Sequence, residues 1–63
     1  MAIVTVVISK GRSQKVKDDI ISKLTDVMVD VIDAEPRQVR VVINEVEKGC
    51  YGVAGKAVYP KLD

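Results

Sequence analysis

From Ala2 to Ser9 the chain reads AIVTVVIS, a β-branched run in which Val4, Val6 and Ile8 alternate with Ile3 and Val7, so that both sets of positions are largely apolar. A strand of this kind is expected to be buried on two faces. Lys10 and Gly11 end the run, and Ser13 suits the cap of a helix, because its hydroxyl can accept from a free amide of the first turn. From there to about Ile32 apolar residues recur at helical spacing. Val16, Ile20, Leu24, Val27 and Val31 form a stripe that Ile21, Met28 and Ile32 widen, while Lys15, Asp19, Ser22, Lys23, Asp26 and Asp30 take the outer surface. One face of this helix is therefore expected to lie on a sheet.

The segment from Asp33 to Pro36 stops the helix, since proline disfavours helical geometry in the residue before it. Val39 to Val46 predicts a second strand with Val39, Val41 and Ile43 on one face and Arg40, Val42, Asn44 and Val46 on the other. Two strands joined by a helix of this length form a right-handed crossover and run parallel. Glu47 to Gly55, punctuated by Gly49, Gly52 and Gly55, predicts a loop or short hairpin, and Ala57, Val58 and Tyr59 are expected to add an edge strand. The expected fold is α/β (α+β in its hairpin): one β-α-β domain over residues 1–63, without repeat or linker.

Length turns this pattern into a requirement for company. A chain of 63 residues buries only about 60% of the surface its unfolded form exposes. Disulfides or a structural metal usually compensate, but Cys50 is the single cysteine and there is no histidine, so neither an intrachain bridge nor a zinc set is available. Association with other copies remains. It also accounts for the second apolar face of the first strand, because parallel sheets are normally covered on both sides.

Composition narrows the function. Apolar runs are far shorter than the roughly 20 residues of a membrane span, and the first residues lack the basic start and apolar length of a signal peptide, so a soluble cytoplasmic protein without membrane contact is expected. Net charge is +1, with one basic cluster at Lys10, Arg12, Lys15 and Lys17, and Tyr51 and Tyr59 are the only aromatics. That argues against a nucleic-acid partner, which calls for a basic excess and stacking rings. Lys10, Lys15 and Lys17 are expected to form a solvated edge that raises the positive potential for an anionic ligand. Cys50 has no partner for nucleophilic catalysis. Peptide capture by strand addition at an open sheet edge is the alternative from another class.

Three features sit together: a strand at the extreme N-terminus, Gly11-Arg12-Ser13 at the strand-to-helix junction, and Val39-Arg40-Val41-Val42-Ile43 followed by Glu45. With Gly49-Cys50-Tyr51-Gly52-Val53-Ala54-Gly55 they resemble the 4-oxalocrotonate tautomerase family, without an apparent gap from about Ala2 to Gly55. The resemblance implies two β-α-β units dimerising into a four-stranded sheet, a hexamer built as a trimer of dimers, no cofactor, and a role in aromatic hydrocarbon catabolism. It also implies a site shared between subunits, in which an N-terminal proline amine moves a proton on a 2-oxo or dienol diacid. Carried over by position, Arg12 and Arg40 are the arginines that bind the carboxylate and oxo ends, Tyr51 stands where phenylalanine or tryptophan is more usual, and Ser9 joins the substrate-binding set.

The proline position is Ala2. Its amine is primary, with an unperturbed pKa of about 7.7 to 8.0, and becomes available as a base only if Met1 is removed. Retained Met1 would displace the amine by roughly 3.3 to 3.6 Å. Two readings follow. In one, the chain belongs to a hetero-oligomer whose sister subunit carries the proline; in the other, it forms a homohexamer that is weakly active through Ala2 or binds small dicarboxylates without turnover. Each site residue also has a plainer explanation. Arg12 could be a solvated charge, although a cation gains nothing at a helix start; Arg40 could pair with Glu45 or Glu47 across a subunit boundary; Tyr51 could be interface packing.

Overall fold

In a computed structural model, which describes residues 1–59, the two β-branched runs form the parallel pair that the pattern predicts. Strand β1 (Ala2–Ser9) leads to helix α1 (Gln14–Ile32), and a short 3-10 turn at Pro36–Gln38 feeds strand β2 (Val39–Val46). The last four positions of the domain expected over 1–63 lie outside the described residues. Ala2 pairs with Val39 and Ser9 with Val46, and the Lys10 amide extends the ladder by donating to the Val46 carbonyl at 2.8 Å.

The helix begins and ends where its capping chemistry places it. Ser13 is extended (φ −70°, ψ 161°), and its hydroxyl accepts from the Val16 amide at 3.3 Å. At the other end Asp33 adopts the left-handed conformation (φ 57°), a position that glycine normally takes because an L side chain crowds the backbone there. Its negative charge also faces the negative end of the helix dipole. Asp33→Gly is therefore expected to stabilise the fold by about 0.5–1 kcal/mol in denaturant unfolding, whereas Asp33→Ala, which relieves the charge but not the backbone, should gain less.

Helix packing departs from the sequence pattern in an informative way. Ile20, Leu24 and Met28, with Lys17, Thr25 and Val29, are half-buried, while Val16, Val27 and Val31 of the same stripe are exposed. The helix sits over β2 rather than astride both strands. The reason is width: two strands about 4.8 Å apart cannot cover the apolar flank of a helix about 10 Å across. One flank of α1 is left without cover inside the subunit.

Little of the chain is truly interior. Among the described residues Val39, at 9% exposure, is the one that is buried, and no side chain is fully buried. The subunit exposes 4975 Å², against about 4000 Å² for a folded monomer of its mass. Its radius of gyration is 14.1 Å, where a compact chain of this length would measure about 11 Å. The open face of the sheet carries Ile3 (64% exposed), Val7 (61%) and Val42.

The tail corrects one expectation. Rather than adding an edge strand to the main sheet, it folds back as the second arm of a hairpin, β3 (Gly52–Val53) against β4 (Lys56–Ala57). Ala54 (φ 54°) and Gly55 (φ 82°) are both left-handed at its tip, as a two-residue hairpin turn of type I′ requires. Val58 then donates to the Tyr51 carbonyl at 2.7 Å and Gly49 to the Val58 carbonyl at 3.3 Å, so the hairpin satisfies its own backbone and leaves β1 and β2 with open edges.

Candidate active site

The end of β1 and the base of the hairpin enclose a cleft of about 350 Å³ lined by Val7, Ile8, Ser9, Arg12, Val46 and Tyr51. Each residue arrives there for a local reason. Ser9 and Val46 are register partners at the strand ends, and Gly11, at φ 124°, turns the chain sharply enough to bring Arg12 back beside Ser9. The Arg12 Nη1 donates to the Ser9 carbonyl at 2.9 Å. The turn closed by Cys50 donating to the Glu47 carbonyl (3.0 Å) delivers Tyr51 from the other side. The cleft thus has three aliphatic walls and three hydrogen-bonding side chains.

Three of the expected site residues, Ser9, Arg12 and Tyr51, are brought together, and two are not. Ala2 and Arg40 lie at the opposite end of the sheet, opposite Val39 and Ile3 in the register. Six residue steps separate Ile3 from Ser9, about 20 Å at the usual rise. Arg40 is exposed there, its Nη1 donating to the Arg37 carbonyl at 2.7 Å. With Met1 in place, the α-amine lies one residue beyond β1, on a residue that is 86% exposed. Within one chain the register sets Arg40 beside the start of β1, whereas Arg12 lies just past its other end.

The charges around the cleft revise two further expectations. Lys10 Nζ holds Glu47 at 2.9 Å, Lys17 Nζ holds Glu45 at 3.2 Å, and Lys15 pairs with Asp19 at 3.4 Å. The hydrogen bond and charge of Glu47 raise the Lys10 pKa above the ordinary lysine value. Lys10 and Lys15 are solvated as expected, but each of the three lysines is paired with a neighbouring acid rather than adding free positive charge, and both acids considered as partners for Arg40 are occupied within the chain. Arg12, for its part, does have a structural role, tying down the carbonyl at the end of β1. Among the described residues neither Arg12 nor Arg40 is ion-paired. Each uses one amino group on a carbonyl, which leaves the rest of the guanidinium fork for a carboxylate.

Sequence reasoning did not single out Val7, Ile8 and Val46 as cleft walls, nor Lys10 and Lys17 as partners for the β2 acids. The apolar second face of β1 was the signal for the walls. Among the described residues no helix is long and apolar enough to cross a membrane, and no three His, Cys, Asp or Glu side chains converge as a metal site would need. Cys50 is exposed and unpaired.

A lone β-α-β unit, with a hairpin beside an arginine-lined cleft at the strand end, defines a class of small proteins with one uncovered sheet face. Residues 3–59 match the family model described as tautomerase enzyme, and the chain belongs to the tautomerase family. It is 40% identical over 58 residues to a probable tautomerase of Halalkalibacterium halodurans, covering 92% of this chain and 95% of that one. It is 34% identical over 56 residues to a 2-hydroxymuconate tautomerase of Pseudomonas putida, covering 89% of each chain. Among solved structures, a 4-oxalocrotonate tautomerase isozyme from Methylibium petroleiphilum superposes with a TM-score of 0.84 at 31% identity, over 87% of this chain and 86% of that one. The fold is also that of a heterohexameric 4-oxalocrotonate tautomerase from Chloroflexus aurantiacus (TM-score 0.85, 24% identity, 90% and 92% covered), a likeness of fold alone.

Proposed function

We propose that this chain is one subunit of an oligomeric isomerase that shifts a proton between enol and keto forms of a 2-hydroxydienoate or 2-oxo diacid, in a site shared between subunits. The observation that carries this reading is the placement of Arg12 and Arg40, two arginines that have no carboxylate partner among the described residues, at opposite ends of one strand pair. A short diacid cannot reach both within a chain. It can do so where one subunit's cleft meets the Arg40 end of another, and the uncovered sheet face and the exposed flank of α1 supply apolar surface for that meeting. One guanidinium then holds a carboxylate while the other stabilises charge on the oxo end as the proton moves, the kind of preorganised donor that contributes most to such reactions.

The base in this reading comes from a sister chain with an N-terminal proline, because Ala2 offers only a primary amine and Met1, when present, displaces it. That two different chains can build this fold into one enzyme is the case for the Chloroflexus aurantiacus heterohexamer. Mixing this chain with a proline-bearing sister is expected to give turnover that neither shows alone, and Arg40→Ala in this chain should lower it by tenfold or more on the order expected for a charge-assisted contact. Turnover unchanged by the mutation would end the hetero-oligomer reading. The second reading, a homohexamer using the Ala2 amine, is favoured by Ala2 and Arg40 sharing one end of the sheet. There, Ala2→Pro in this chain alone should produce enol-to-keto turnover.

A further inference from the structure

Arg40 stands on the open face of the sheet, beside Ile3 in the register and on the same side of β2 as the exposed Val42. Its side chain turns back past the start of β2, where Nη1 donates to the Arg37 carbonyl at 2.7 Å. That carbonyl belongs to a turn held on several sides. Pro36 opens it with a φ fixed by the ring, at a position where a missing N–H is no loss. The Gln38 amide donates to the Glu35 carbonyl at 2.8 Å, the Val39 amide donates to the Pro36 carbonyl, and Arg37 Nε lies 3.2 Å from the Glu35 carboxylate.

We infer that Pro36 is a positioning residue for Arg40: by stiffening the turn it fixes the carbonyl that aims the guanidinium. The inference rests on the reading of Arg40 as an anchor for a diacid, and adds what holds that anchor ready. A free arginine side chain loses rotational freedom when a ligand fixes it, whereas one already tied to a rigid carbonyl has less left to lose. The tether has a second effect. It draws the charge toward the rim of the sheet, away from Ile3 and Val42, on a face whose apolar residues gain by being covered and where an unpaired cation would be costly.

Calorimetric titration of 2-oxoadipate into the intact oligomer tests this. Pro36→Gly, which frees the backbone at the head of the turn, should weaken binding by about two- to tenfold, the range for one side chain that has to be ordered on binding, and Pro36→Ala by less. With Arg40→Ala already in place, Pro36→Gly is expected to add nothing, because the group it aims is gone. Wild-type affinity in Pro36→Gly, or the same loss with and without Arg40, would each overturn the assignment while a weakened Arg40→Ala variant left the diacid site standing. Undiminished binding by Arg40→Ala would remove both. A readout without ligand isolates the tether: nitrogen-correlated NMR should resolve the Arg40 Nη protons in the wild-type protein, where the bond to the Arg37 carbonyl slows rotation of the guanidinium, and show them merged in Pro36→Gly. Identical Arg40 signals in the two proteins would also overturn the inference.

Discussion

Val42→Asp is expected to break the assembly into smaller species and abolish its cooperative thermal transition. Val42 lies at the middle of the open sheet face, opposite Thr5 in the register and away from the cleft-lining residues, and it is 44% exposed in the isolated subunit. Among the described residues nothing in the chain covers that face, and only Val39 is buried. In the oligomer proposed above, neighbouring copies supply the missing apolar burial, and a carboxylate placed in the contact would either lie unpaired in an apolar layer or prevent the layer from closing. The first costs several kcal/mol per copy, repeated by the symmetry of the assembly. Since a subunit with so little interior has almost no stability of its own, dissociation and unfolding should coincide. Native mass spectrometry and a melting curve read both. Val42→Thr, similar in shape and uncharged, should stay assembled with a modestly lower transition. A Val42→Asp protein with wild-type mass and melting temperature would show that this face is solvent-exposed in the native state.

The strands, the helix and its first cap were legible because each has a strong local cause: a β-branched run, a helical apolar repeat, and the Ser13 hydroxyl at the right place to accept. What was not legible depends on distances across the fold. The helical stripe says which residues are apolar but not how wide a sheet will meet them, so Val16, Val27 and Val31 read as packed and are exposed. The glycines marked the hairpin, but not which residues pair in it, because its arms are two residues each, too short for any alternation, and it is the left-handed pair Ala54 and Gly55 that turns Lys56 and Ala57 back onto Gly52 and Val53. Lys10 finds Glu47 and Lys17 finds Glu45 across 37 and 28 positions of sequence, contacts created by the register of β1 on β2 for the first and by the packing of α1 over β2 for the second. The separation of the two arginines, by contrast, was implicit in the chain. Parallel strands place the start of β2 beside the start of β1, so Arg40 is carried to one end while Arg12, just past the end of β1, stays at the other.

That separation leads to the second large effect, a complementation between two defective variants. Arg12→Ala and Arg40→Ala should each weaken binding of a 2-oxo diacid by roughly 10- to 100-fold, the range for a charge-assisted hydrogen bond with one partner removed. In a homo-oligomer of either variant every site lacks one arginine. If each site takes Arg12 from one chain and Arg40 from another, as the 20 Å estimate along the strand requires, then dissociating and reassembling the two variants at equal amounts restores a fraction of sites. Such a site needs its Arg12 from an Arg40→Ala chain and its Arg40 from an Arg12→Ala chain, which random mixing supplies in about a quarter of cases. Calorimetric stoichiometry of the remixed protein should accordingly show about a quarter of the sites at wild-type affinity, a population absent from either parent. Were both arginines of a site contributed by one chain, no mixture could contain an intact site, and remixed protein that binds no better than its parents would establish that arrangement instead.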